Sequence, residues 1–322
     1  MAAGIFAHDV ELSVVVPVYN EKETLPEFGA ELDQALRGLG KSYEAILVDD
    51  GSRDGSFEEI EGFVKRYRGF KAVRLGRNAG QTAALSAGIA MARGRLIACL
   101  DADAQNDPRD IGALLGKMGQ GYDVVSGWRR ERQDPWLSRR LPSQVANALI
   151  SRVTGVPLHD YGCTLKVYRA EFIKPLRLYG EMHRFIPALS AFLGARIAEE
   201  PVRHRPRVKG KSKYGLSRTF KVSLDLLTVK FMDAYLGKPI YFFGGWGALM
   251  GAAGAAMAGF TLYKKFSLGV YVKDQPLFQV SIFFALIGFM LILLGLMAEV
   301  VVRIYFDLKD KSPYFVAETS GF

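Results

Sequence analysis

One stretch constrains the fold more than any other: Leu96-Ile97-Ala98-Cys99-Leu100-Asp101-Ala102-Asp103-Ala104-Gln105-Asn106-Asp107-Pro108. An apolar run of strand length ends abruptly in two carboxylates spaced two apart. Asp107 then stands where a helix N-cap would, with Pro108 as the first helical residue and Asp110 in the first turn. This spacing predicts a buried strand that delivers a charged tip to the C-terminal edge of a sheet. In open α/β sheets that edge is where ligands bind. Two close acids repel, and both stay ionised near neutral pH only beside a cation. A hard divalent ion with oxygen ligands, Mg²⁺ or Mn²⁺, fits Asp101, Asp103 and the amide of Gln105. The plainer alternative is a solvated turn after a strand, because an isolated Asp-x-Asp is common.

The same grammar recurs along the first half of the chain. Apolar, β-branched runs at 12–16, 43–48 and 72–75 precede the 96–100 run, and a fifth comes after it at 122–126. Between them lie helical patterns: one from an Asn20 N-cap, with Glu23 three residues on, to about Leu36, and others at 57–66, at 80–92 and from Pro108. Strands alternating with helices imply an α/β domain with a doubly wound, mostly parallel sheet. Each strand exit carries polar residues: Tyr19, Asn20 and Glu21; Asp49 and Asp50; Arg77, Asn78 and Gln81; Asp101 and Asp103. Asp49, at a strand end, is placed to accept hydrogen bonds from a base or ribose. Any one of these clusters reads equally as turn chemistry, but four at one sheet edge point to a site. There is no Gly-x-Gly-x-x-Gly and no Gly-Lys-Ser/Thr, which argues against a dinucleotide cofactor or a P-loop.

The 322-residue chain is 49% hydrophobic with a net charge of +9, and both excesses are unevenly placed. Between Arg203 and Lys221 stand Arg203, Arg205, Arg207, Lys209, Lys211, Lys213, Arg218 and Lys221 without one acid. Nucleic acid is the rival partner for such a run. The next hundred residues favour a membrane: an amphipathic helix pattern over 220–236, then apolar spans at 239–263 and 277–302, each long enough to cross about 30 Å of hydrocarbon. Basic residues before an apolar span attract anionic lipid head groups. Residues 1–8 lack a basic segment leading into a long apolar core, and Cys99 and Cys163 read as free thiols, so the N-terminal domain is expected in the cytosol. Arg129, Arg130, Arg132, Arg139 and Arg140 are interleaved with Trp128 and Trp136. Arginine forks bind two phosphate oxygens at once, and tryptophan suits a membrane interface. A flexible, solvated basic loop is the alternative.

Val15-Val16-Pro17-Val18-Tyr19-Asn20-Glu21, Val48-Asp49-Asp50-Gly51-Ser52, Arg77-Asn78-Ala79-Gly80 and Leu100-Asp101-Ala102-Asp103-Ala104-Gln105 resemble family 2 inverting glycosyltransferases. Asp160-Tyr161-Gly162-Cys163 and Gly210-Lys211-Ser212-Lys213-Tyr214 extend the likeness to the branch of dolichol- and undecaprenyl-phosphate sugar synthases. The resemblance implies a Rossmann-like GT-A fold, a nucleotide-sugar donor, Mg²⁺ or Mn²⁺, a polyprenyl phosphate acceptor and a homo-oligomer, a tetramer being the implied form. It assigns Pro17, Tyr19, Glu21, Asp49, Asn78, Gln81 and Asp101 to the nucleotide sugar, Asp101, Asp103 and Gln105 to the metal, and Arg129, Arg140, Ser143 and Lys211 to the acceptor phosphate. Asp103 and Asp160 are the catalytic candidates; where some relatives carry an acidic residue as the base, this chain has Thr164, which leaves Asp160 as the nearest carboxylate.

These expectations combine into a GT-A domain at 1–202, a basic segment and amphipathic juxtamembrane helix at 203–237, two transmembrane helices at 238–305 and a cytoplasmic tail at 306–322. Two crossings would place an inner-membrane protein with its catalytic domain in the cytoplasm. The expected reaction is transfer of a single sugar from a nucleotide-diphosphate sugar, with UDP the implied carrier, to undecaprenyl or another polyprenyl phosphate, and no nucleic acid partner. The alternatives are a diacylglycerol glycosyltransferase or a polysaccharide synthase; against the latter, the chain lacks Gln-x-x-Arg-Trp and has too few spans.

Overall fold

Strand β1 (Leu12–Val18) has valine at four of its seven positions and only Pro17 is not fully buried, so it belongs in the middle of a sheet. The computed structural model places it there. It describes residues 10–130, 141–178, 180–206, 239–307 and 314–322, and in 141–142 and 302–307 the backbone alone. β1 pairs in parallel with β2 (Tyr43–Asp49) on one side and β4 (Leu96–Cys99) on the other. β3 (Phe70–Leu75) extends the parallel block beyond β2. The chain therefore builds outward from β1 in one direction and then returns to start again on its other flank. That reversal between β1 and β4 leaves a crevice at their carboxyl ends, the expected ligand position in such sheets.

Helices cover both faces. On one, α1 (Leu25–Gly38) and α2 (Ser56–Arg66) press Phe28, Leu32, Leu36, Ile60 and Phe63 against Leu12, Val14 and Val16. Each such side chain, taken fully out of water, contributes about 1.5–3 kcal/mol before entropy is counted. On the other face lies α3 (Gln81–Met91), where a Cβ on Gly88 would collide with Val15 and Val48. Small residues along α3 let it approach the sheet closely enough to hold Gln81 at the rim.

Three strands lie beyond the predicted five. After α4 (Ile111–Met118), β5 (Val124–Trp128) and α5 (Leu141–Thr154), the chain forms β6 (Lys166–Arg169), antiparallel to both β4 and β5. The short α6 (Ala170–Ile173) and α7 (Ile186–Phe192) come next, and β7 (Ile197–Pro201) then pairs in parallel with β5. Residues Val316–Ser320 form β8, antiparallel to β3, so part of the segment expected as a tail belongs to the sheet. The order is β7-β5-β6-β4-β1-β2-β3-β8, a mixed sheet.

Local readings shift for local reasons. The first helix begins at Leu25, with Thr24 rather than Asn20 at its cap position. Asn20 has φ +54° and spends its side-chain oxygen on the N–H of Arg53 (3.0 Å), joining two loops instead of capping a helix. Asp107 does cap its turn, accepting from the N–H of Arg109 at 3.0 Å, but that turn is a 3₁₀ segment, Pro108–Asp110, ahead of α4. The fifth strand begins two residues later than its apolar run predicts.

The second compact unit is a helical pair, α8 (Pro239–Leu268) and α9 (Pro276–Asp307), both long and apolar enough to cross a membrane. Glycines set its seam. A Cβ on Gly247 would lie 2.7 Å from the carbonyl oxygen of Gly288, and one on Gly254 would lie 2.8 Å from that of Ser281. Such close backbone approach is how helices associate where the surrounding solvent is as apolar as their side chains. Trp246, Phe283, Phe289 and Met290 face outward and are exposed. The predicted amphipathic helix, with Lys211, and Arg140 lie outside the described residues.

Candidate active site

Four strand exits of the sheet are tied together at one rim. The N–H of Asn20 donates to Ser52 Oγ at 2.9 Å and that of Glu21 to Ser56 Oγ at 3.0 Å, which joins the β1 and β2 loops. Asp50 accepts from the N–H groups of Ala79 (2.7 Å) and Gly80 (2.9 Å), joining the β2 and β3 loops. Gly51 makes that join possible: its φ is +69°, and a Cβ there would lie 2.7 Å from the backbone of Arg77 and Asn78. Gln81 Nε2, at the start of α3, donates to Asp101 Oδ1 at 2.7 Å, joining the β3 and β4 exits. The hydroxyl of Thr24 reaches the carbonyl oxygen of Ala102 at 3.4 Å and closes the crevice between β1 and β4.

Within this rim Tyr19, Glu21 and Pro17 are half-buried and Asn78 is exposed. Asp49 is wholly buried, with the N–H of Ser52 at 3.1 Å and Arg74 Nε at 3.6 Å. Burial raises its pKa, against the pull of Ser52 and Arg74.

Asp101 and Asp103 are brought together as their spacing predicts. Burial and the neighbouring Asp103 carboxylate push the Asp101 pKa well above the usual carboxylate range, against hydrogen bonds from Thr164 and Gln81 and the charge of Arg129. Ala104, next in the chain, adopts φ +57°, a left-handed conformation that costs a non-glycine residue about 1 kcal/mol. Beyond it the N–H of Gln105 donates to Asp103 Oδ1 at 3.2 Å. Two acids held side by side with an amide close by in the chain form an oxygen-only donor set suited to a hard divalent ion. Among the described residues no group of three or more His, Cys, Asp or Glu side chains gathers as a metal site.

The acceptor side is built around one ion pair. Arg129, at the exit of β5, donates from Nε to Asp160 Oδ2 at 2.7 Å and from Nη2 to Oδ1 at 3.0 Å. Asp160 also accepts from the N–H of Gly162 at 3.1 Å, and its side chain is only 3% exposed. The candidate base and a candidate phosphate ligand thus engage one another. Ser143 is half-buried on α5.

Four further residues neighbour the site, and of these His183, Lys166 and Arg184 carry little signal in the sequence. Thr164 accepts from Asn106 Nδ2 at 2.9 Å while bonding Asp101. His183, on the 3₁₀ turn Met182–Phe185, has Nδ1 2.7 Å from the hydroxyl of Thr82, one residue after Gln81. Lys166 of β6 and Arg184 line a recess together with Asp101 and Gln81.

Comparison with known proteins agrees with this architecture. The model of Glycosyl transferase family 2 matches residues 13–177, the stretch from β1 through β6. The dodecaprenyl-phosphate galacturonate synthase of Rhizobium johnstonii is 43% identical over 311 residues, covering 95% of this chain and 92% of its own. The undecaprenyl-phosphate 4-deoxy-4-formamido-L-arabinose transferase of Edwardsiella ictaluri is 38% identical over 307 residues, with 95% and 93% covered. Among solved structures, mannosyl-3-phosphoglycerate synthase from Rubrobacter xylanophilus superposes with a TM-score of 0.54 at 17% identity, covering 69% of this chain and 74% of its own. Glucosyl-3-phosphoglycerate synthase from Mycobacterium tuberculosis, solved with Mn²⁺ and UDP-glucose, gives 0.52 at 19% identity over 70% and 79%. Both share the fold. The chain belongs to glycosyltransferase family 2, among relatives named as polyprenyl-phosphate sugar synthases and transferases.

Proposed function

We propose that this chain transfers a single sugar from a nucleotide-diphosphate sugar, carried on UDP, to undecaprenyl or another polyprenyl phosphate, with inversion at the anomeric carbon. The observation that carries the reading is that Asp101, one of the paired acids at the β4 exit, lines one recess with Gly162, whose N–H donates to the Asp160 carboxylate held by Arg129. One site holds acids suited to a diphosphate-bound cation and a guanidinium suited to a second phosphate. Asp49 and the loops at Tyr19, Glu21 and Asn78 would hold the nucleoside. Asp101, Asp103 and Gln105 would hold Mg²⁺ or Mn²⁺, which would supply positive charge to offset that of the departing diphosphate. In the reaction an acceptor phosphate oxygen bonds to the anomeric carbon, and the bond from that carbon to the diphosphate breaks with its electron pair leaving on the nucleotide.

A phosphate monoester has its second pKa near 6 and is largely dianionic at pH 7, so the acceptor needs orientation more than deprotonation. In this reading Asp160 positions Arg129 rather than taking a proton, and Arg129, Arg140, Ser143 and Lys211 grip the acceptor. The apolar helices would span the inner membrane with the sheet domain in the cytoplasm, and the assembly would be a homo-oligomer. Asp103→Ala tests the core of the proposal. It should abolish Mn²⁺-dependent binding of UDP-sugar and formation of the acid-labile glycosyl phospholipid, and unchanged metal-dependent binding would overturn the reading.

A further inference from the structure

The relatives' names differ in the sugar, a uronate in one and a formamido pentose in the other. The sugar is therefore a property of each chain's own pocket. In this chain the pocket beside Asp101 contains a cation that neither the diphosphate nor the acceptor phosphate accounts for.

Lys166 projects from β6 into the interior and is 3% exposed. Its Nζ donates to the carbonyl oxygen of Tyr161 at 2.9 Å. An ammonium has three donors, and among the described residues no carboxylate forms an ion pair with this one. Asp160, the acid whose charge reaches it, is committed to the Arg129 fork. Burial lowers the Lys166 pKa, and the nearby Arg129 charge acts in the same direction, against the charge of Asp160. A buried charge without a carboxylate partner is costly unless something compensates it.

Lys166 does not stand alone. The recess it lines is also lined by His183, by Arg184, whose Nε lies 3.9 Å from Glu181 Oε2, and by Gln81 and Asp101. Much of the remaining lining, Leu85, Leu100 and Ile186, is apolar. The recess has room for about one or two water molecules, the size of a carboxylate and smaller than a sugar ring or a diphosphate.

We propose that this recess receives a carboxylate carried by the donor sugar, held by Lys166 with Arg184 and His183, so that the donor is a nucleotide-activated uronic sugar. The inference rests on the sugar-transfer reading above. A sugar bearing only hydroxyls would leave the ammonium without a directly paired carboxylate, whereas a uronate supplies one and accepts its remaining N–H groups.

The test uses the full-length chain in detergent with undecaprenyl phosphate and Mn²⁺, comparing UDP-galacturonate and UDP-glucuronate with UDP-galactose and UDP-glucose. The preferred uronate should exceed its matching neutral hexose at least tenfold in kcat/KM. Lys166→Met should collapse that ratio by an order of magnitude, Lys166→Arg should preserve it, and Arg184→Gln, which leaves the buried strand intact, should reduce it. Equal use of hexose and uronate by the unaltered enzyme would overturn the inference while leaving sugar transfer intact. So would a Lys166→Met enzyme that loses both substrates in equal proportion. Turnover of no nucleotide sugar at all, with none bound in the presence of Mn²⁺, would overturn both.

Discussion

The N–H of Arg205 donates to the carbonyl oxygen of Gln105 at 2.8 Å, and Asn106 and His204 form an antiparallel bridge beside it. The start of the basic run is thereby zipped to the loop that carries the paired acids. The side chains reinforce the join: Arg205 donates to Asp107 at 2.9 Å and to both oxygens of Glu31, and Arg203 grips Asp110 at 2.7 Å.

Asp107 is the buried centre of this cluster, and it should make stability depend on pH. Burial alone would raise its pKa, but hydrogen bonds from the Arg109 side chain and backbone, with Arg203 and Arg205, hold it well below the usual carboxylate range. A folded-state pKa below the unfolded one of about 3.9 contributes stability above that value and loses it as pH falls through the folded one. Asp107→Asn should therefore be less stable than the unaltered chain at pH 7, and the gap should narrow as pH drops below about 4. Urea unfolding in detergent at a series of pH values measures it.

Replacing Arg205 with Ala should destabilise the sheet domain by about 1–3 kcal/mol, because it strips a charged partner from a buried carboxylate. It should also weaken Mn²⁺-dependent nucleotide binding through the Gln105 loop. Thermal unfolding and a nucleotide titration of the same preparation check the two effects.

Asp160→Asn separates a positioning role from a basic one. Losing the bidentate pair with Arg129 should raise KM for the polyprenyl phosphate about tenfold or more and leave the pH profile of kcat in place. A base would instead have its limb of the profile abolished. Arg129→Lys should not rescue binding, because a lysine cannot supply the two-pronged geometry.

Ala104 holds a left-handed conformation directly after the two site acids. Ala104→Gly should change stability by less than about 1 kcal/mol, since relief of strain is offset by greater freedom of the unfolded chain. Ala104→Val should cost about 1–2 kcal/mol and loosen the placement of Asp103 beside Asp101. Melting temperature and Mn²⁺ affinity, measured together, distinguish these outcomes.

In the helical pair, a Cβ at position 288 would lie 2.6 Å from the carbonyl oxygen of Gly247. Gly288→Val should force α8 and α9 apart, read as lower thermal stability of the detergent-solubilised protein, whereas Gly259→Ala, with open space around it, should have little effect.

The legibility of the fold in the sequence varies with the physics. β1 to β4 and the helices between them are readable because each buried strand is a short apolar run punctuated by a turn, and the pairing of Asp101 with Asp103 is set by the strand that ends at Cys99. β6 is not readable: four residues, Lys166 to Arg169, with a charge at each end, form a strand only because β4 and β5 lie either side to pair with them. β7, with two glutamates and a proline, is likewise made by its neighbour. For the same reason Lys166, His183 and Arg184 give no local hint of a shared recess. Asp160 is visible as a carboxylate, but its engagement with Arg129 is a matter of distance in space alone.

The pairing of β8 with β3 has a consequence for biosynthesis. The outer edge of β3 stays open until residues 316–320 have been made, and both apolar helices precede them in the chain. An exposed strand edge is a template for unwanted pairing, so the half-finished sheet stays unzipped on one flank until the whole hydrophobic pair has been made. Completion of the catalytic domain is thus timed to come after the synthesis of its own anchor.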